Sequence, residues 1–469
     1  MVDRRILFFI SLFAIVLGCT ACQLRSAQAP NFKLFFVVNR WYDKAATIRM
    51  FRNDDPAGLE NRARVAGVDP AVARKIHDEA NPFVVVRLAN KLVEDRFGKE
   101  GQAVEASKED LWVQWKDLLP VFSNVVVETT ESPWVHSNYI CFVSSMFPGL
   151  SDWWGNKVGV GFKLSPPEYK RRALAQEILL SDVFQLLRKR YRRSELSDWQ
   201  VWAFSEITPS FILDDQMLKP YWPNVPDDWG RENYAQLPRL EKSLKELFDH
   251  RTSYVDYEDK AAQVLRGFQP FVASWLGVFD ADIQGKGTYR RVAVDMNLTG
   301  AKGVLILGLH EGSPADKAGL MPGDFVTSVG STHIENAAQF SRVIRSLEPG
   351  TKTGITGLRL GEPLTLSATI GELDARDIAS QNYWPGFTVA KVSENAEASG
   401  NSGGVAVATI TGVKSPAVAA GLRPGDKIGA VNGIRVRTLK GFYKALNANG
   451  GRSASFVIMR EGKEMTLDF

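Results

Sequence analysis

Two stretches of the chain hold residues whose types and spacing could do covalent chemistry. The first is Gly400-Asn401-Ser402-Gly403-Gly404. A serine presented on a glycine-rich loop is a nucleophile only when a histidine lies within hydrogen-bond reach and an acid orients that histidine. The chain offers His77, His136, His250, His310 and His333. The second stretch is Gln176-Glu177-Ile178-Leu179-Leu180, with Glu206 on the next predicted helix. Two histidines four apart on one helical face bind zinc, and a glutamate between them activates water. Glu177 holds the position of that base. Gln176 and Leu180 stand where the histidines are needed. Leucine cannot ligate, and glutamine is a poor ligand for zinc. The three cysteines, Cys19, Cys22 and Cys141, have no zinc spacing either. The sequence therefore predicts no catalytic set, no metal site and no cofactor.

The elements around these residues decide what they can do. After residue 270 the chain repeats itself. "GSPADKAGLMPGDFVTSVG" (312–330) and "KSPAVAAGLRPGDKIGAVN" (414–432) align without a gap, 102 residues apart. Each copy reads as an apolar strand (303–309, 404–410), then a short helix opened by Ser-Pro and ended at Gly319 or Gly421. A Pro-Gly-Asp turn and a second strand follow. A longer helix comes next, Ala337 to Leu347 and Leu439 to Asn447, with apolar residues on one face. Hairpins turning at Gly361-Glu362 and Glu461-Gly462 close the copies.

The doubled "SPAxxAGLxPGD" core resembles the bacterial PDZ domain. The order of elements and the pairing resemble the tandem PDZ domains of the HtrA (DegP-like) periplasmic protease family, over about residues 268 to 469. That resemblance implies a peptide site in each copy. Backbone N–H groups of a short loop take a terminal carboxylate, and the peptide adds as a strand beside it. The loop is expected at Leu276, Gly277, Val278 and Phe279, and at Gly386, Phe387, Thr388 and Val389. Pro385 removes one donor from the second loop. An ordinary buried apolar strand is the alternative at each place. The serine loop at 400–404 resembles that of trypsin-like proteases. It falls inside the second repeat, between the carboxylate loop and the strand at 404–410, and residues 31–265 hold no second such loop. That placement argues for a flexible turn and against a serine protease.

Residues 31–265 read as helix-rich. Helical spacing covers 69–80, 81–98 and 107–122; β-like runs cover 123–130, 138–145 and 156–165; helices follow at 166–191, 197–215, 238–250 and 254–268. The stretch from Lys219 to Pro238 reads as irregular and surface-packed. Strand, helix with "QEILL" and helix with "WAFSEITPSF" is similar to the order in gluzincin metallopeptidases, here without the zinc histidines and without the glycine after Glu206. A degenerate peptidase scaffold, an unrelated helical domain and a diverged zinc enzyme all stay open.

The bulk numbers fit several domains. The 469 residues are 45% apolar and 23% charged, with net charge +4. That charge is too small and dispersed to argue for nucleic acid. The basic run from Leu186 to Leu196 reads as a solvated helix face. At the N-terminus Arg4 and Arg5 precede an apolar run from Ile6 to Leu17. The run is shorter than the roughly 20 residues a bilayer span needs and suits a secretory signal. "VLGC" resembles a lipobox, which implies lipidation of Cys19. Thr20 after it resembles the pattern for outer-membrane sorting. A plain signal peptide or short anchor is the alternative. Cys22 and Cys141 could pair, but a buried free Cys141 fits "YICFV" better.

The expected architecture is multidomain α+β. Residues 1–22 form a signal peptide with lipobox, 31–265 a helix-rich mixed domain, and 268–372 and 377–469 two PDZ domains, each a small β-barrel or sandwich with two helices. The expected function is non-catalytic binding of C-termini or unfolded segments of envelope proteins, as an adaptor or in protein quality control. The protein would be held to the envelope, facing the periplasm, by an N-terminal lipid. A peptidase, either a diverged zinc enzyme or an HtrA-like serine protease, is the alternative.

Overall fold

A computed structural model describes residues 32–52, 59–147, 149–151, 155–226, 234–283, 294, 296–378, 381–391, 404–410, 415–448 and 453–469. The chain forms two compact units. One comprises residues 1–231 and 243–268, the other 232–242 and 269–469.

The N-terminal unit is built on a four-stranded sheet of β1 (Lys33–Val37), β2 (Asn138–Ser144), β3 (Gly149–Ser151) and β4 (Lys157–Gly161), in the order β1-β2-β4-β3. β1, β2 and β4 are parallel, and β3 is an antiparallel edge. Four helices separate β1 from β2: α1 (Arg40–Phe51), α2 (Leu59–Val65), α3 (Pro70–Asp78) and α4 (Pro82–Thr130). Asn39, Asp69 and Asn81 cap α1, α3 and α4 by accepting from backbone N–H groups of the first turn. α5 (Pro167–Arg190) and α6 (Asp198–Leu213) follow β4 and pack on each other. α7 (Leu237–Asp249) and α8 (Tyr254–Gly267) complete the helices before the repeats.

α4 corrects the sequence reading. Two helices (81–98, 107–122) and a strand-like run (123–130) are one 49-residue helix. The buried positions explain it: Val85, Ala89, Val93, Phe97, Val104, Leu111, Trp115, Leu118, Phe122 and Val126 keep helical spacing throughout. Packing along that stripe overrides the β preference of Val125-Val126-Val127. The stretch before residue 227 is also less superficial than expected, because Leu218, Trp222 and Val225 are buried. The basic run is only partly a solvated face. Arg188 is nearly buried and pairs with Asp198 at 2.9 Å, while Arg190 lies 3.1 Å from Glu258. Cys141 is buried and free. No described helix is long and apolar enough to cross a membrane.

Buried carboxylates tie this unit together. Asp43 on α1 accepts from the Ser144 hydroxyl (2.7 Å) and from both the N–H (2.9 Å) and hydroxyl (2.6 Å) of Ser145, just past β2. Asp182 on α5 accepts from Val135 N–H (2.8 Å) and the Tyr139 hydroxyl (3.0 Å).

The C-terminal unit holds two antiparallel sheets of like design. The first runs β11-β10-β8-β7-β6, with β9 on β8. It contains β6 (Val278–Asp282), β7 (Val304–Leu309), β8 (Asp324–Val329), β9 (Thr332–His333), β10 (Lys352–Arg359) and β11 (Glu362–Thr369). β5 (Val272–Trp275) pairs separately with β12 (Gly371–Asp374). The second runs β13-β14-β15-β17-β18, with β16 on β15. It contains β13 (Phe387–Lys391), β14 (Val405–Ile410), β15 (Lys427–Val431), β16 (Ile434–Arg435), β17 (Ser455–Arg460) and β18 (Lys463–Asp468). Each sheet carries a short helix, α9 (Pro314–Lys317) or α11 (Pro416–Ala419), and a longer one, α10 (Ala337–Ser346) or α12 (Leu439–Asn447). The first hairpin turns at Leu360-Gly361, one residue earlier than expected, and the second at Glu461-Gly462. All four turn residues have positive φ, as a two-residue hairpin turn requires.

Burial pushes the Asp182 carboxyl up to about 6 and the Glu258 carboxyl up to about 7, the latter opposed by Arg190. Both groups hold a proton more tightly folded than unfolded, where carboxyls titrate near about 4. Their protonation therefore stabilises the unit as pH falls through 7 and 6, and that gain is lost as pH rises. The melting temperature of the N-terminal unit should rise between pH 8 and pH 5.5. Asp182→Asn should shrink that rise. A pH-independent melting temperature would contradict the burial argument.

Candidate peptide-binding grooves

The repeated motif builds the same loop twice. Ser313 is fully buried and caps α9, its hydroxyl accepting from Asp316 N–H at 3.2 Å. Gly277 lies directly on it with φ +83°, and any Cβ there would overlap the Ser313 Cβ. Only glycine meets both demands. The carbonyls of this loop turn inward: Leu276 O accepts from Ala315 N–H and Gly277 O from His310 N–H, both at 2.9 Å. Neither Leu276 nor Gly277 N–H donates to a backbone carbonyl of the described residues. Backbone donors not spent within the fold are what a carboxylate needs.

In the second copy Ser415 caps α11 through Val418 N–H (3.4 Å). Gly386, with φ +84°, would bring a Cβ to 2.5 Å from the Ser415 Cβ. The Trp384–Pro385 bond is cis, and Pro385 has no N–H to offer.

The Pro-Gly-Asp turns are locked by arginines that the sequence reading missed. Asp324 is fully buried and receives Arg359 Nε at 2.7 Å and Nη2 at 2.8 Å; the same Nη2 donates to Gly319 O at 2.7 Å. Asp426 receives Arg460 Nε at 2.7 Å and Nη2 at 2.6 Å, and that Nη2 reaches Gly421 O at 2.8 Å. The signal was an arginine just before each hairpin turn. The gapless alignment hid it, because the two arginines lie 101 rather than 102 residues apart.

Each loop opens into a cleft between a strand and a helix. β6 pairs with β7 along one edge, and α10 packs beside it. The far end is closed by Ala337 N–H donating to Asp282 Oδ1 at 2.6 Å. Val278 packs against the core of its own repeat, with Ile306, Val326 and Phe340. Phe279 turns the other way, 5.9 Å from the Tyr383 ring. Asp280 carries a carboxyl that burial and neighbouring Asp282 push up to about 7 against the pull of Arg345 on α10. In the second copy Phe387, Thr388 and Val389 are all buried. The Phe387 ring meets those of Phe442, Phe456 and Phe469.

The stretch around Glu177 and Glu206 is taken up by hydrogen bonds and packing. Gln176 Oε1 accepts from Arg172 Nη1 (3.0 Å), and Gln176 Nε2 donates to Glu206 O (3.1 Å). Glu206 Oε1 accepts from Trp202 Nε1 (2.8 Å), and Leu180 is buried. Glu177 lies near Cys141 and Tyr42, both of which burial chiefly, and Glu177 secondarily, push to higher pKa. Among the described residues no three His, Cys, Asp or Glu side chains group so as to hold a metal. Ser402 and Cys19 lie outside the described residues.

A family model described as "PDZ domain" matches residues 305–353 and 409–460. The C-terminal unit carries two PDZ domains, resembling those of the HtrA family. PDZ1 is the copy holding Gly277 and PDZ2 the copy holding Gly386. A probable periplasmic serine endoprotease DegP-like of Hahella chejuensis is 30% identical over 40% of this chain and 41% of its own length. The periplasmic pH-dependent serine endoprotease DegQ of Escherichia coli is 30% identical over 35% of this chain and 36% of its own. The chain thus spans about two fifths of the length of the curated relatives it matches. Among solved structures, the HtrA-type protease AlgW with decapeptide is 23% identical over 25% of this chain and 34% of that one, with TM-score 0.21.

Two substitutions in PDZ1 separate these devices. Gly277→Ala forces both strain and overlap and should destabilise the C-terminal unit by about 2–4 kcal/mol. Arg359→Ala strands a buried carboxylate and should cost about 3 kcal/mol. Chemical denaturation of the full chain measures both, and losses under about 1 kcal/mol would contradict the packing described.

Proposed function

We propose that the protein is an exported, non-catalytic peptide-binding protein of the bacterial envelope. It recognises free C-termini or extended segments of other envelope proteins, as an adaptor or in protein quality control. One observation carries this reading. Gly277 is seated on buried Ser313, both carbonyls of the Leu276–Gly277 loop are bonded within the fold, and neither N–H of that loop donates to a described backbone carbonyl, which suits an anion. The names of the relatives, periplasmic endoproteases, agree with export. Their likeness falls on about two fifths of their length, and the family model falls on the PDZ regions alone. Cys19, after the apolar run, is the proposed lipidation site, and the lipid would tether the protein to the membrane.

The N-terminal unit does no zinc chemistry in this reading. Gln176 bonds Arg172 and the main-chain carbonyl of Glu206, a Glu206 carboxylate oxygen accepts from Trp202, and leucine at position 180 cannot bind a cation. A diverged peptidase would bind stoichiometric zinc or cleave casein in a manner abolished by Glu177→Ala. Neither is expected.

Binding is tested on the full chain with a library of peptides ending in apolar residues, each with a free or an amidated C-terminus. Free carboxylates should bind at least tenfold tighter than amides. Arg359→Ala, outside the loop, reports how far simple loss of stability affects the readout. Equal binding of amides and acids would sink the carboxylate model.

A further inference from the structure

The residue just before the PDZ1 loop carries a donor that the fold leaves unused. Trp275 ends β5, and its indole is held between Gly277 and His310. A Cβ on Gly277 would lie 2.9 Å from the indole Cζ2, and the His310 ring stands across the indole at 5.3 Å. Cζ2 is two bonds from Nε1, so the indole N–H lies beside the loop. Leu276 and Gly277 of that loop have N–H groups that donate to no described backbone carbonyl. Nε1 of Trp275 is itself buried and completes no hydrogen bond among the described residues. An indole N–H can only donate, and a buried donor left without an acceptor is costly.

Tyr383, from the segment ahead of the second loop, half meets that need. Its ring lies 5.9 Å from that of Phe279 and 6.4 Å from that of His310. A Cβ on Gly308 would be 3.2 Å from the Tyr383 Cβ. The neighbours of Tyr383 hold it there. Trp384 exchanges two backbone hydrogen bonds of 2.7 and 2.9 Å with Leu309, and His310 Nδ1 is 2.9 Å from Asn382 O. Burial, and then the charge of Asp280, push the Tyr383 hydroxyl up to about 12, while the Trp275 indole and Arg345 pull the other way. Trp275 thus stands near enough to act on the phenol oxygen, yet no hydrogen bond joins them. The phenol is uncharged at neutral pH. A charged acceptor makes a hydrogen bond roughly twice as strong as a neutral one. In the second copy the aligned Trp384 packs on Phe469 at 6.1 Å, and Pro385 after it has no N–H.

We propose that the indole N–H of Trp275 is a side-chain donor to a carboxylate bound at the PDZ1 loop, where the Tyr383 hydroxyl only partly fills the acceptor's place. The site is then composite. It joins the backbone N–H groups of Leu276 and Gly277, the indole N–H before them, and a phenol wall from the segment that leads into PDZ2. This inference rests on the reading of the PDZ1 loop as a carboxylate site. It is tested on the full chain with 15N-labelled tryptophan indoles, in which Trp275→Phe assigns the Trp275 signal by its loss. Tyr383→Phe, which removes the phenol oxygen, assigns the same signal by displacement if the first variant fails to fold. Sodium acetate, the simplest carboxylate, should move that signal downfield, and equimolar sodium chloride should not. Trp275→Phe keeps an aromatic ring and removes the N–H. It should weaken the tightest free-acid peptide of the library about tenfold and leave its amide unchanged. Tyr383→Phe should not weaken the free acid. A Trp275 signal unmoved by both acetate and free-acid peptide would overturn the proposal. Acid-selective binding that survives Trp275→Phe would also overturn it and leave the peptide-binding function standing. A signal moved by acetate, with no peptide bound, would uphold the donor and overturn that function.

Discussion

The C-terminal unit depends on the contact between a positive-φ glycine and the buried serine beneath it. Gly277 on Ser313, and Gly386 on Ser415, fix where each of these loops stands. The serine hydroxyl faces along its short helix as a cap, so its position is set by that helix. The helix ends at Gly319 or Gly421, whose carbonyl is held by the same arginine that neutralises the buried aspartate of the next turn. Loop, helix, turn and hairpin are thus one circuit of hydrogen bonds. A buried carboxylate is costly unless paired and fully hydrogen-bonded, and both aspartates meet that condition by a two-pronged arginine contact.

This circuit explains which residues of the motif were legible. Ser313, Pro314, Gly319, Gly323 and Asp324 recur in place because each has a local backbone task. Their spacing therefore appears in any alignment of the two copies. Arg359 and Arg460 act across the sheet, where a one-residue difference in loop length is tolerated and the linear offset drifts. The long helix α4 was hidden for another reason. Val125, Val126 and Val127 carry a local preference for strand, and only the buried stripe from Val85 onward reveals that they continue a helix. β1 and α1 escaped notice because a five-residue strand beside a helix of weak amphipathicity gives little periodic signal. Contacts between the two repeats were beyond any reading of one sequence, since Gly308 and Gly323 look like ordinary turn or strand glycines until a neighbour is seen against them.

The N-terminal unit shows how a site with a catalytic look is occupied by structure. Order along the chain brings Gln176 beside Glu206, as a two-helix zinc site would need. The Gln176 amide instead bonds Arg172 and the main-chain carbonyl of Glu206, and a Glu206 carboxylate oxygen accepts from Trp202. Such a network fixes the angle between α5 and α6 without an ion. Burial of Leu180 adds apolar contact where a ligand would have needed access to solvent.

α7 has a consequence for how the chain matures. Residues up to 242 belong to the C-terminal unit, and those from 243 return to the N-terminal one. Leu237 and Leu240 are buried, and Arg239 pairs with Glu348 at 3.3 Å. A chain made from its N-terminus can complete the first unit once residue 268 has emerged, since domains fold as units during synthesis. The first half of α7 then waits for the rest of its own unit, Glu348 included, to be made.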